Sequence, residues 1–476
     1  MTEQQMTNQQ MTNQQQPTVP KKVVRMIVAA ALMGFAGIMS ETAMNVTFPK
    51  LSQIFHVSME TLAWVTTIYL LMVAIMMTLS AYLRRRFSQR QLFLASVGVF
   101  VIGTLIGGTA VTFPILLVGR VLQGVAAGIA LPLTFNIILE QVPLAKLGTW
   151  MGFGSLVVSI APSIGPTYGG LLVDSLGWRA IFFFVLLLVA VSVFLGITSF
   201  EKKEPIDKTA KLDWLQFLLL ACALTTSLIF VSGLETGKVN LPVLVLFFAT
   251  FFLFIWKSLT SKQEFLNIRL FAKPVFLYAV TPFVLYQFAN IGGNYLIPNY
   301  LQLGFGVSSI LAGFALLPGS LLAALLNPWF GKLYDERGAK LPLYLGNLLF
   351  TISLLVMCLF AHSLGMVLLT IIYVIFSFGR VMAFGNIQTT TIAHLSKEEG
   401  PHALALFQMM NQYGGSIGTA VVALISSSQA NIKDAFQQTN LLFITFGLVS
   451  FGLFFLMFRT KEYTAPVQTE KPSNEI

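Results

Sequence analysis

The 476-residue chain has few charged residues, few histidines and only two cysteines. Asp, Glu, Lys and Arg make up 10% of it, whereas a soluble domain carries roughly 25%, which excludes an ordinary soluble protein. Cys222 and Cys358 lie in separate apolar stretches, so neither a disulfide framework nor a thiolate metal site is indicated. The four histidines are scattered, and we expect no metal and no cofactor. Without a nucleotide-binding loop or a nucleophile motif, the sequence predicts no enzyme and no catalytic residue.

Hydrophobic residues make up 56% of the chain, and the mean hydropathy is +0.78. A transmembrane helix needs about 17 to 25 mainly apolar residues, and fourteen stretches are long enough. These predicted spans, numbered 1 to 14, cover residues 25–47, 63–83, 91–110, 114–138, 147–173, 179–199, 213–233, 241–258, 275–301, 309–333, 341–361, 365–387, 404–427 and 440–459. The sequence therefore predicts an all-α integral membrane protein.

The lysines and arginines of the loops and of the span ends are divided unevenly between the two sides of the membrane. An even number of spans places both termini on one side, and the segments on that side carry 23 of these residues, against four on the other. Because cytoplasmic loops hold an excess of Lys and Arg, we predict a cell-membrane protein with both termini cytoplasmic. Loops that face anionic lipid then explain the net charge of +10, and we expect no nucleic-acid partner.

Polar segments precede span 1 and follow span 14. Residues 1–24 begin with a Gln, Asn and Thr repeat that has no apolar face, and we predict a disordered cytoplasmic tail. This tail contains no signal-peptide core or cleavage site, so span 1 is predicted to be a retained helix. Residues 460–476 are predicted to be a second cytoplasmic tail, and we expect neither tail to carry the activity.

Few charged residues fall within the spans. Glu41 lies in span 1 and Arg120 in span 4, and a rise of about 1.5 Å per residue places both at a similar depth, nearer the outer side. Arg380 lies in span 12, and Glu140 lies at the inner end of span 4. A charge inside the membrane is costly and indicates function by default.

Two interpretations of Glu41 and Arg120 are open. The two residues could form a structural ion pair that lowers the cost of burying each charge. Alternatively, Glu41 could be a protonation switch, because burial disfavours an ionised carboxylate while a nearby guanidinium favours it. We predict proton coupling by Glu41 with Arg120, with Glu140 as the next candidate carrier. Asn45, one turn after Glu41, and Gln123, beside Arg120, extend the predicted polar network.

Several motifs resemble those of the major facilitator superfamily. They are LLVGRVLQGVAAGIALPL in span 4, APSIGPTYGG in span 5 and GKLYDERGAK between spans 10 and 11. With SETAMNVTFP in span 1, GWRAIFFF at the start of span 6 and fourteen spans, the chain is similar to the family's fourteen-helix drug/proton antiporters. The resemblance covers nearly the whole chain after residue 20. It implies a major facilitator fold of two six-helix halves plus two extra central helices.

The resemblance also implies a division of the chain. Residues 25–199 would form the N-terminal half and residues 275–459 the C-terminal half. Residues 200–274 would be a linker that contains the two extra helices, spans 7 and 8. Transporters of this kind bind substrate between the halves near the middle of the membrane and expose it alternately to each side.

Span 5 is predicted to contain a gate. Gly165 and Gly169 share one helix face, and Pro166 removes a backbone donor and bends the helix. Such residues also serve simple helix packing, but the family's antiporter motif implies a rocking contact between the halves here. We predict that its partner is span 10, where the segment AGFALLPGS offers Gly313 and Gly319.

The loop between spans 10 and 11 is predicted to close the inner side. The resemblance assigns Gly331, Asp335 and Arg337 to a lock between cytoplasmic loops, and a basic loop that only follows the charge rule is the alternative. In the first half, Ala81 and Arg85 replace the family's Gly and Asp. This departure predicts an altered lock, in which the neighbouring arginines meet acidic groups or lipid.

Polar side chains at helical spacing in spans 9 and 13 are predicted to line the substrate cavity, although a ladder of amides could equally bond helix to helix. The second half has no acidic residue well inside a span, and a weakly charged cavity with Phe and Met walls suits varied amphipathic substrates. The predicted substrate-binding residues are Asn45, Gln123, Tyr286, Asn290, Asn294, Gln408, Asn411 and Gln412.

These features together predict a proton-coupled antiporter that exports lipophilic, often cationic drugs or toxic compounds by alternating access. Its expected partners are small drug-like molecules, protons and membrane lipid, and we expect a monomer. A proton-coupled facilitator for one specific metabolite, either an exporter or a nutrient importer, is the alternative, because a fold does not fix a function.

Overall fold

The computed structural model describes residues 19–200, 207, 209, 211–234, 239–261, 266–396 and 399–464. Throughout these residues the regular structure is helical, and each of the fourteen predicted spans corresponds to one long helix. The predicted all-α fold is therefore confirmed. Most of the two predicted tails lies outside the described residues, and the first helix begins at Lys21, four residues before the predicted start of span 1.

The long helices are numbered as the spans were: α1 (Lys21–Met44), α2 (Met59–Thr78), α3 (Gln89–Gly108), α4 (Phe113–Gln141), α5 (Leu144–Ser175), α6 (Arg179–Ile197), α7 (Trp214–Gly233), α8 (Leu241–Thr260), α9 (Pro274–Phe305), α10 (Leu317–Arg337), α11 (Lys340–Leu359), α12 (Met366–Ala393), α13 (Glu399–Ser428) and α14 (Ile432–Met457). By length and composition, 13 helical segments of the described chain are able to cross a membrane. The remaining long helix is α13, with 30 residues.

The described residues also form four short α-helices and two 3-10 turns, one of which is Ile268–Ala272. After α1, a 3-10 turn (Asn45–Thr47) leads into a short helix, Phe48–Phe55, and α10 is preceded by the short helix Ser309–Phe314. The other two are Ser80–Arg86 and Lys461–Thr464. Because successive helices alternate in direction, α1 begins and α14 ends on the same side of the molecule, here called the termini side. The opposite side is called the far side.

Polar side chains in the loops fix where several helices begin. Ser58 accepts a hydrogen bond from the backbone N–H of Thr61 at the start of α2, and Ser88 and Gln91 form a reciprocal capping box at the start of α3. Asp213 accepts the backbone N–H of Gln216 at the start of α7. These caps satisfy backbone donors that a helix end leaves without partners.

The first six helices (α1–α6, the N-half) and the last six (α9–α14, the C-half) each form a bundle. Within the N-half, α1 packs on α4, α5 and α6, and α4 packs on α2 and α3. Within the C-half, α9 packs on α13 and α14, and α11 packs on α12 and α14. The halves meet at two seams: α2 packs on α13, and α5 packs on the segment Ser309–Arg337.

The extra helices lie beside the first of these seams. α7 packs on both α2 and α13, whereas α8 packs mainly on α7. On α8 the buried side chains are Thr250 and Phe254, and large apolar residues such as Phe252 and Trp256 are exposed. An apolar helix with so little buried surface is suited to contact with lipid.

Glycines allow α4 to approach its neighbours closely. A Cβ atom on Gly119 would lie 2.6 Å from the backbone nitrogen of Gly107 in α3, and one on Gly124 would lie 2.5 Å from the carbonyl oxygen of Tyr69 in α2. Real Cβ atoms essentially never come this near to backbone, so both positions require glycine. The close packing fixes the part of α4 that carries Arg120 and Gln123.

Candidate functional site

Glu41 lies on α1 in the interior of the N-half. Its side chain is 3% exposed, and the nearby Ser40 and Asn45 are fully buried. The carboxylate oxygen Oε1 has no hydrogen-bond partner among the described residues. Because a buried carboxylate without partners is costly when ionised, its presence here favours a functional role.

Arg120 faces the same interior from α4 and is also fully buried. Its Nε donates a hydrogen bond to the carbonyl oxygen of Val65 (2.9 Å), and its Nη1 donates to Gln123 Oε1 (2.8 Å). Nη1 also lies 3.5 Å from Ser40 Oγ. Gln123 in turn donates from Nε2 to Thr104 Oγ1 of α3 (2.9 Å). The guanidinium is therefore held mainly by the backbone of α2 and by an amide of α4.

Glu41 and Arg120 belong to one buried cluster without forming a direct ion pair. The two groups act on each other electrostatically, but in the described part of the chain no carboxylate oxygen lies within the 4.0 Å salt-bridge distance of Arg120. The structural ion pair weighed from the sequence is therefore absent. What remains is an acid and a base at neighbouring positions, with one oxygen of Glu41 and Nη2 of Arg120 unpaired among the described residues.

Tyr69 of α2 completes this cluster. The Arg120 Cζ atom lies 4.4 Å from the centroid of the Tyr69 ring, and the Tyr69 hydroxyl has no hydrogen-bond partner among the described residues. A Cβ atom on Gly37 would lie 2.9 Å from that hydroxyl, which places the hydroxyl against α1, one turn before Glu41. The sequence analysis missed Tyr69. Its position in the middle of an apolar span was the available signal, because a buried tyrosine usually needs a polar partner.

Asn45 lies near this cluster but bonds elsewhere. Its Oδ1 accepts a hydrogen bond from Thr66 Oγ1 of α2 (2.7 Å), and its Nδ2 has no partner in the described structure. At this residue α1 gives way to the 3-10 turn that leads to the far side. Of the predicted network, the structure joins Gln123 to Arg120 by a hydrogen bond, and it joins Asn45 to α2 instead.

The predicted substrate-binding residues of α9 point into the C-half. Tyr286 is fully buried, and its hydroxyl donates to Asn347 Oδ1 of α11 (2.7 Å). Asn294 Oδ1 accepts a hydrogen bond from the Tyr373 hydroxyl of α12 (3.3 Å), and Asn290 is buried on the same helix. Tyr286 therefore bonds helix to helix, which was one of the two interpretations left open from the sequence.

The polar residues of α13 lie where the halves meet. Gln408, Asn411 and Gln412 are half-buried, and Asn411 Oδ1 is buried without a hydrogen-bond partner among the described residues. Further along the same helix, Ser416 Oγ donates to the carbonyl oxygen of Thr67 in α2 (2.9 Å), which is a bond between the halves. These three amides are therefore placed close to a seam.

The glycines of α5 make different contacts from those predicted. Cβ atoms on Gly165 and Gly169 would collide with α1, at Thr42 and Ala43, so this face packs within the N-half. The adjacent face carries the contact between the halves, where Gly170 lies against Ser309 and the Pro166 carbonyl lies against Gly313.

Span 10 is the partner of span 5, as predicted, but only one of its two glycines contacts α5. Gly313 meets α5, whereas Gly319 packs on Tyr373 inside the C-half. Gly165, Gly169 and Gly319 were therefore wrongly predicted to touch across the halves. The choice of partner helix was correct.

Polar contacts join the halves on the far side. Asp174, at the end of α5, accepts the backbone N–H of Ile310 in the C-half (2.9 Å) and forms an ion pair with Lys50 (3.2 Å). Gln302 Nε2 of α9 donates to the carbonyl oxygen of Val46 (3.1 Å). The far side of the described structure is therefore closed.

The termini side is built differently. Gly331 has open space beside it, and Asp335 and Arg337 lie at the exposed end of α10 and form no hydrogen bond or ion pair with the N-half among the described residues. In the N-half, Arg84 forms a bidentate ion pair with Glu140, and Gln89 Nε2 donates to the same carboxylate (2.9 Å). An arginine of this loop therefore meets an acidic group, as predicted. Glu140 forms this ion pair near the surface of the termini side.

Comparison with known proteins identifies the class to which this fold and buried charge cluster belong. Residues 30–419 match the family model of the Major Facilitator Superfamily, and the chain belongs to that family. It is 31% identical over 413 residues to the lincomycin resistance protein LmrB of Bacillus subtilis (strain 168), covering 86% of each chain. It is 25% identical to the riboflavin transporter RibZ of Clostridioides difficile (strain 630), covering 88% of this chain and 91% of that one.

Among solved structures, a D-xylose-proton symporter superposes with a TM-score of 0.69 at 14% identity, covering 94% of this chain and 99% of that one. This likeness shows the fold. The protein is therefore a multi-span membrane transporter of the Major Facilitator Superfamily and not an enzyme.

Proposed function

We propose that the protein exports lipophilic, often cationic drugs or toxic compounds across the cell membrane in exchange for protons. The relatives named for lincomycin resistance support drug export. The distribution of Lys and Arg supports an orientation in which the termini side faces the cytoplasm. In this proposal the protein acts as a monomer, and its partners are small drug-like molecules, protons and membrane lipid.

One observation supports the proton coupling: the buried carboxylate of Glu41, near Arg120 and Tyr69, has an oxygen that finds no hydrogen-bond partner among the described residues. Arg120 is bonded to α2 and α4, whereas Glu41 belongs to α1. A shift of α1 relative to those helices changes the distance between the two charges. Because that distance and the degree of burial set the balance between the neutral and ionised carboxyl group, such a shift takes up or releases a proton.

Substrate exchange follows from the closed far side. With Asp174 and Gln302 bonded across the halves on that side, compounds enter the seam from the termini side. Opening of the far side then requires these bonds to break, and in this proposal Gly331, Asp335 and Arg337 close the termini side in exchange. We propose that polar residues of both halves contact the substrate: Asn45 and Gln123 in the N-half, Asn290 and Asn294 in the C-half, and Gln408, Asn411 and Gln412 close to the seam between α2 and α13.

A second candidate function is transport of one specific metabolite, coupled to protons. The relative named as a riboflavin transporter supports it. The two candidates differ in selectivity, because a drug exporter accepts chemically unrelated amphipathic cations, whereas a dedicated facilitator accepts a single compound and its close analogues.

The test is transport of the fluorescent cation ethidium by reconstituted vesicles under an imposed pH gradient. We expect gradient-driven ethidium transport that a protonophore abolishes. Glu41→Gln keeps the size and hydrogen-bonding capacity of the side chain but cannot ionise, so it should abolish this transport while the protein remains folded in the membrane. Glu336→Gln is the matched control, because Glu336 is an exposed acid whose ion pair in the described part of the chain is with Lys332 on its own helix (3.6 Å).

Three outcomes would contradict the proposal. Ethidium transport that persists with a protonophore would exclude proton coupling. Full gradient-driven transport by Glu41→Gln would move the coupling to another residue. Transport of riboflavin but of no drug-like cation would favour the dedicated facilitator.

A further inference from the structure

Arg380 is a charged residue in the C-half that the proposed proton cycle does not use. It is the only charged residue of α12, which runs from Met366 to Ala393. Its depth is well inside the membrane span, 14 residues from the far-side end of the helix and 13 from the other. A charge at such a position indicates a function.

The position of Arg380 on the helix places its side chain toward the protein interior. Ile371 precedes it by nine residues, about two and a half turns, and therefore lies on the opposite face. Ile371 is 55% exposed and marks the outer, lipid-facing side of α12. Phe384, one turn after Arg380 and on its face, stacks on Phe283 of α9, with ring centroids 4.1 Å apart.

Another residue on the same face confirms this direction. Tyr373, seven residues before Arg380, contacts α9 through Asn294 (3.3 Å) and α10 through Ser320 (3.1 Å). The face that carries Arg380 is therefore turned to α9 and α10. Arg380 itself is half-buried.

No group of the described chain neutralises Arg380. It has no ion pair and no hydrogen bond among the described residues, and its Nε is buried without an acceptor. Its recorded neighbour is the ring of Phe384, with Cζ 5.9 Å from the centroid. One aromatic contact at this distance offsets only a small part of the cost of withdrawing an ion from water.

The buried arginine of the N-half, Arg120, has hydrogen-bond acceptors and an acid nearby. Arg120 donates to a backbone carbonyl and to Gln123, and it has Glu41 nearby. Arg380 has none of these, and Gln388, two turns closer to the termini side, also has a buried donor, Nε2, without a partner in the described structure. The inner part of α12 thus presents donors and a positive charge for which the described residues supply no acceptor.

We propose that Arg380 binds the anionic group of an amphipathic substrate, an organic carboxylate or sulfonate, between α9, α10 and α12. A guanidinium offers two parallel N–H donors to such an oxyanion, and the bond is strengthened by charge. This inference rests on the proposed export function and adds negatively charged and zwitterionic amphiphiles to the proposed substrates. The anionic group of such a substrate binds at Arg380 in the C-half.

The test measures transport of two dyes by reconstituted vesicles: carboxyfluorescein, which is anionic, and ethidium, which is cationic. Arg380→Gln should raise the KM for carboxyfluorescein at least about tenfold, as expected for loss of a charged hydrogen bond, and should change the KM for ethidium less than about twofold. Arg380→Lys keeps the charge but loses the two parallel N–H donors of the guanidinium, so its KM for carboxyfluorescein should lie between those of the native protein and Arg380→Gln. Arg459→Gln is the matched control, because Arg459 lies over Phe455 (4.1 Å) at the exposed end of α14.

Several results would overturn the inference. An equal loss for both dyes would make Arg380 a structural residue, and an unchanged KM for carboxyfluorescein, or no transport of it by the native protein, would exclude an anion site. An effect seen only in vesicles that contain anionic phospholipid would assign Arg380 to a lipid phosphate. In each case, gradient-driven ethidium transport that Glu41→Gln abolishes would leave the proposed function intact.

Discussion

Asp174 is the residue at which closure of the far side is best tested. Its Oδ2 accepts the backbone N–H of Ile310 in the C-half (2.9 Å), and its Oδ1 accepts from Lys50 Nζ (3.2 Å). Lys50 also donates to the carbonyl oxygen of Val173 (2.9 Å), which fixes the ammonium beside the carboxylate. Asp174→Asn keeps the shape of the side chain and removes its charge, so it should weaken the bonds between the halves.

The size of the effect follows from the exposure of the pair. A hydrogen bond to a charged group contributes about 1.5 to 3 kcal/mol when buried, and an exposed ion pair about 0.2 to 1 kcal/mol. Lys50 belongs to the N-half, as Asp174 does, so the interaction that joins the halves is the bond from the Ile310 N–H. The Asp174 side chain is 28% exposed, so we expect this bond to contribute about 1 kcal/mol, less than it would when buried. This corresponds to a change of about fivefold in the ratio of closed to open molecules.

Labelling of a buried cysteine measures that ratio. Thr47 is fully buried in the 3-10 turn between the halves, which packs on α5 and α9. In a protein with Thr47→Cys, and with Cys222 and Cys358 replaced by serine, a membrane-impermeant maleimide reacts from the far side only when this side opens. Asp174→Asn should speed this labelling about fivefold. Lys50→Met should have a smaller effect, because Lys50 contacts Asp174 from within the N-half. The double substitution should add little to Asp174→Asn alone, because Lys50 acts through that carboxylate.

Asp434→Asn is the matched control, since Asp434 is a far-side acid whose partner, His362, belongs to the same half (3.4 Å). Its labelling rate should equal that of the parent protein. The same rate for Asp174→Asn would refute the assignment of Asp174 to closure. Full additivity of the Asp174 and Lys50 substitutions would show that the two residues act separately.

The remaining predictions concern the charge cluster and the α5 glycines. Arg120→Gln removes the positive charge that favours ionised Glu41, so the acid should release its proton only at higher pH. The profile of transport against internal pH, measured in reconstituted vesicles, should therefore move to higher pH. An unmoved profile would mean that the two residues are uncoupled. Gly169→Leu should lower the thermal stability of the detergent-solubilised protein by about 1 to 3 kcal/mol, because it presses on Ala43 within one half. Gly313→Leu should leave that stability nearly unchanged and speed labelling of Thr47→Cys instead, because it presses on Pro166 across the halves; the reverse pattern would contradict the packing described.

The helices were predictable from the sequence because apolar length alone defines a membrane span. The same physical argument placed Glu41 and Arg120 at a similar depth, since the rise along a helix converts residue number into distance. Their burial and mutual electrostatic influence agree with that prediction. Whether they touch could not be predicted, because depth says nothing about the direction in which a side chain points.

Direction is also the reason for the error at α5. Gly169 and Gly170 are neighbours in the sequence, but successive residues of a helix point about 100° apart. One therefore meets α1 of its own half and the other meets Ser309 of the opposite half. A motif identifies a helix that is rich in small residues, and only the packing shows which of its faces meets which neighbour.

The same limit applies to polar residues inside the bundles. Tyr286 and Asn411 have equivalent sequence environments, each being a polar residue in a mainly apolar span. In the structure Tyr286 is bonded to Asn347, whereas Asn411 keeps a buried oxygen without a partner in the described chain. The presence or absence of a hydrogen-bond partner distinguishes a packing residue from a candidate ligand contact. The sequence does not show this partner, because Asn347 lies more than 60 positions from Tyr286.

In both halves, a charged side chain has a polar atom without a partner in the described chain, so binding of a ligand there changes the relative free energies of the conformations. Glu41 in the N-half and Arg380 in the C-half each have a buried polar atom without a partner among the described residues. Each is costly in its ionised form while water is excluded, and in the proposed mechanism a proton at Glu41 and an anionic group at Arg380 relieve this cost. A ligand shifts a conformational equilibrium only by its difference in affinity for the two states. In the proposed cycle, the conformation that seals both groups from water would therefore be accessible mainly to the loaded protein, and this requirement would prevent the empty transporter from dissipating the proton gradient.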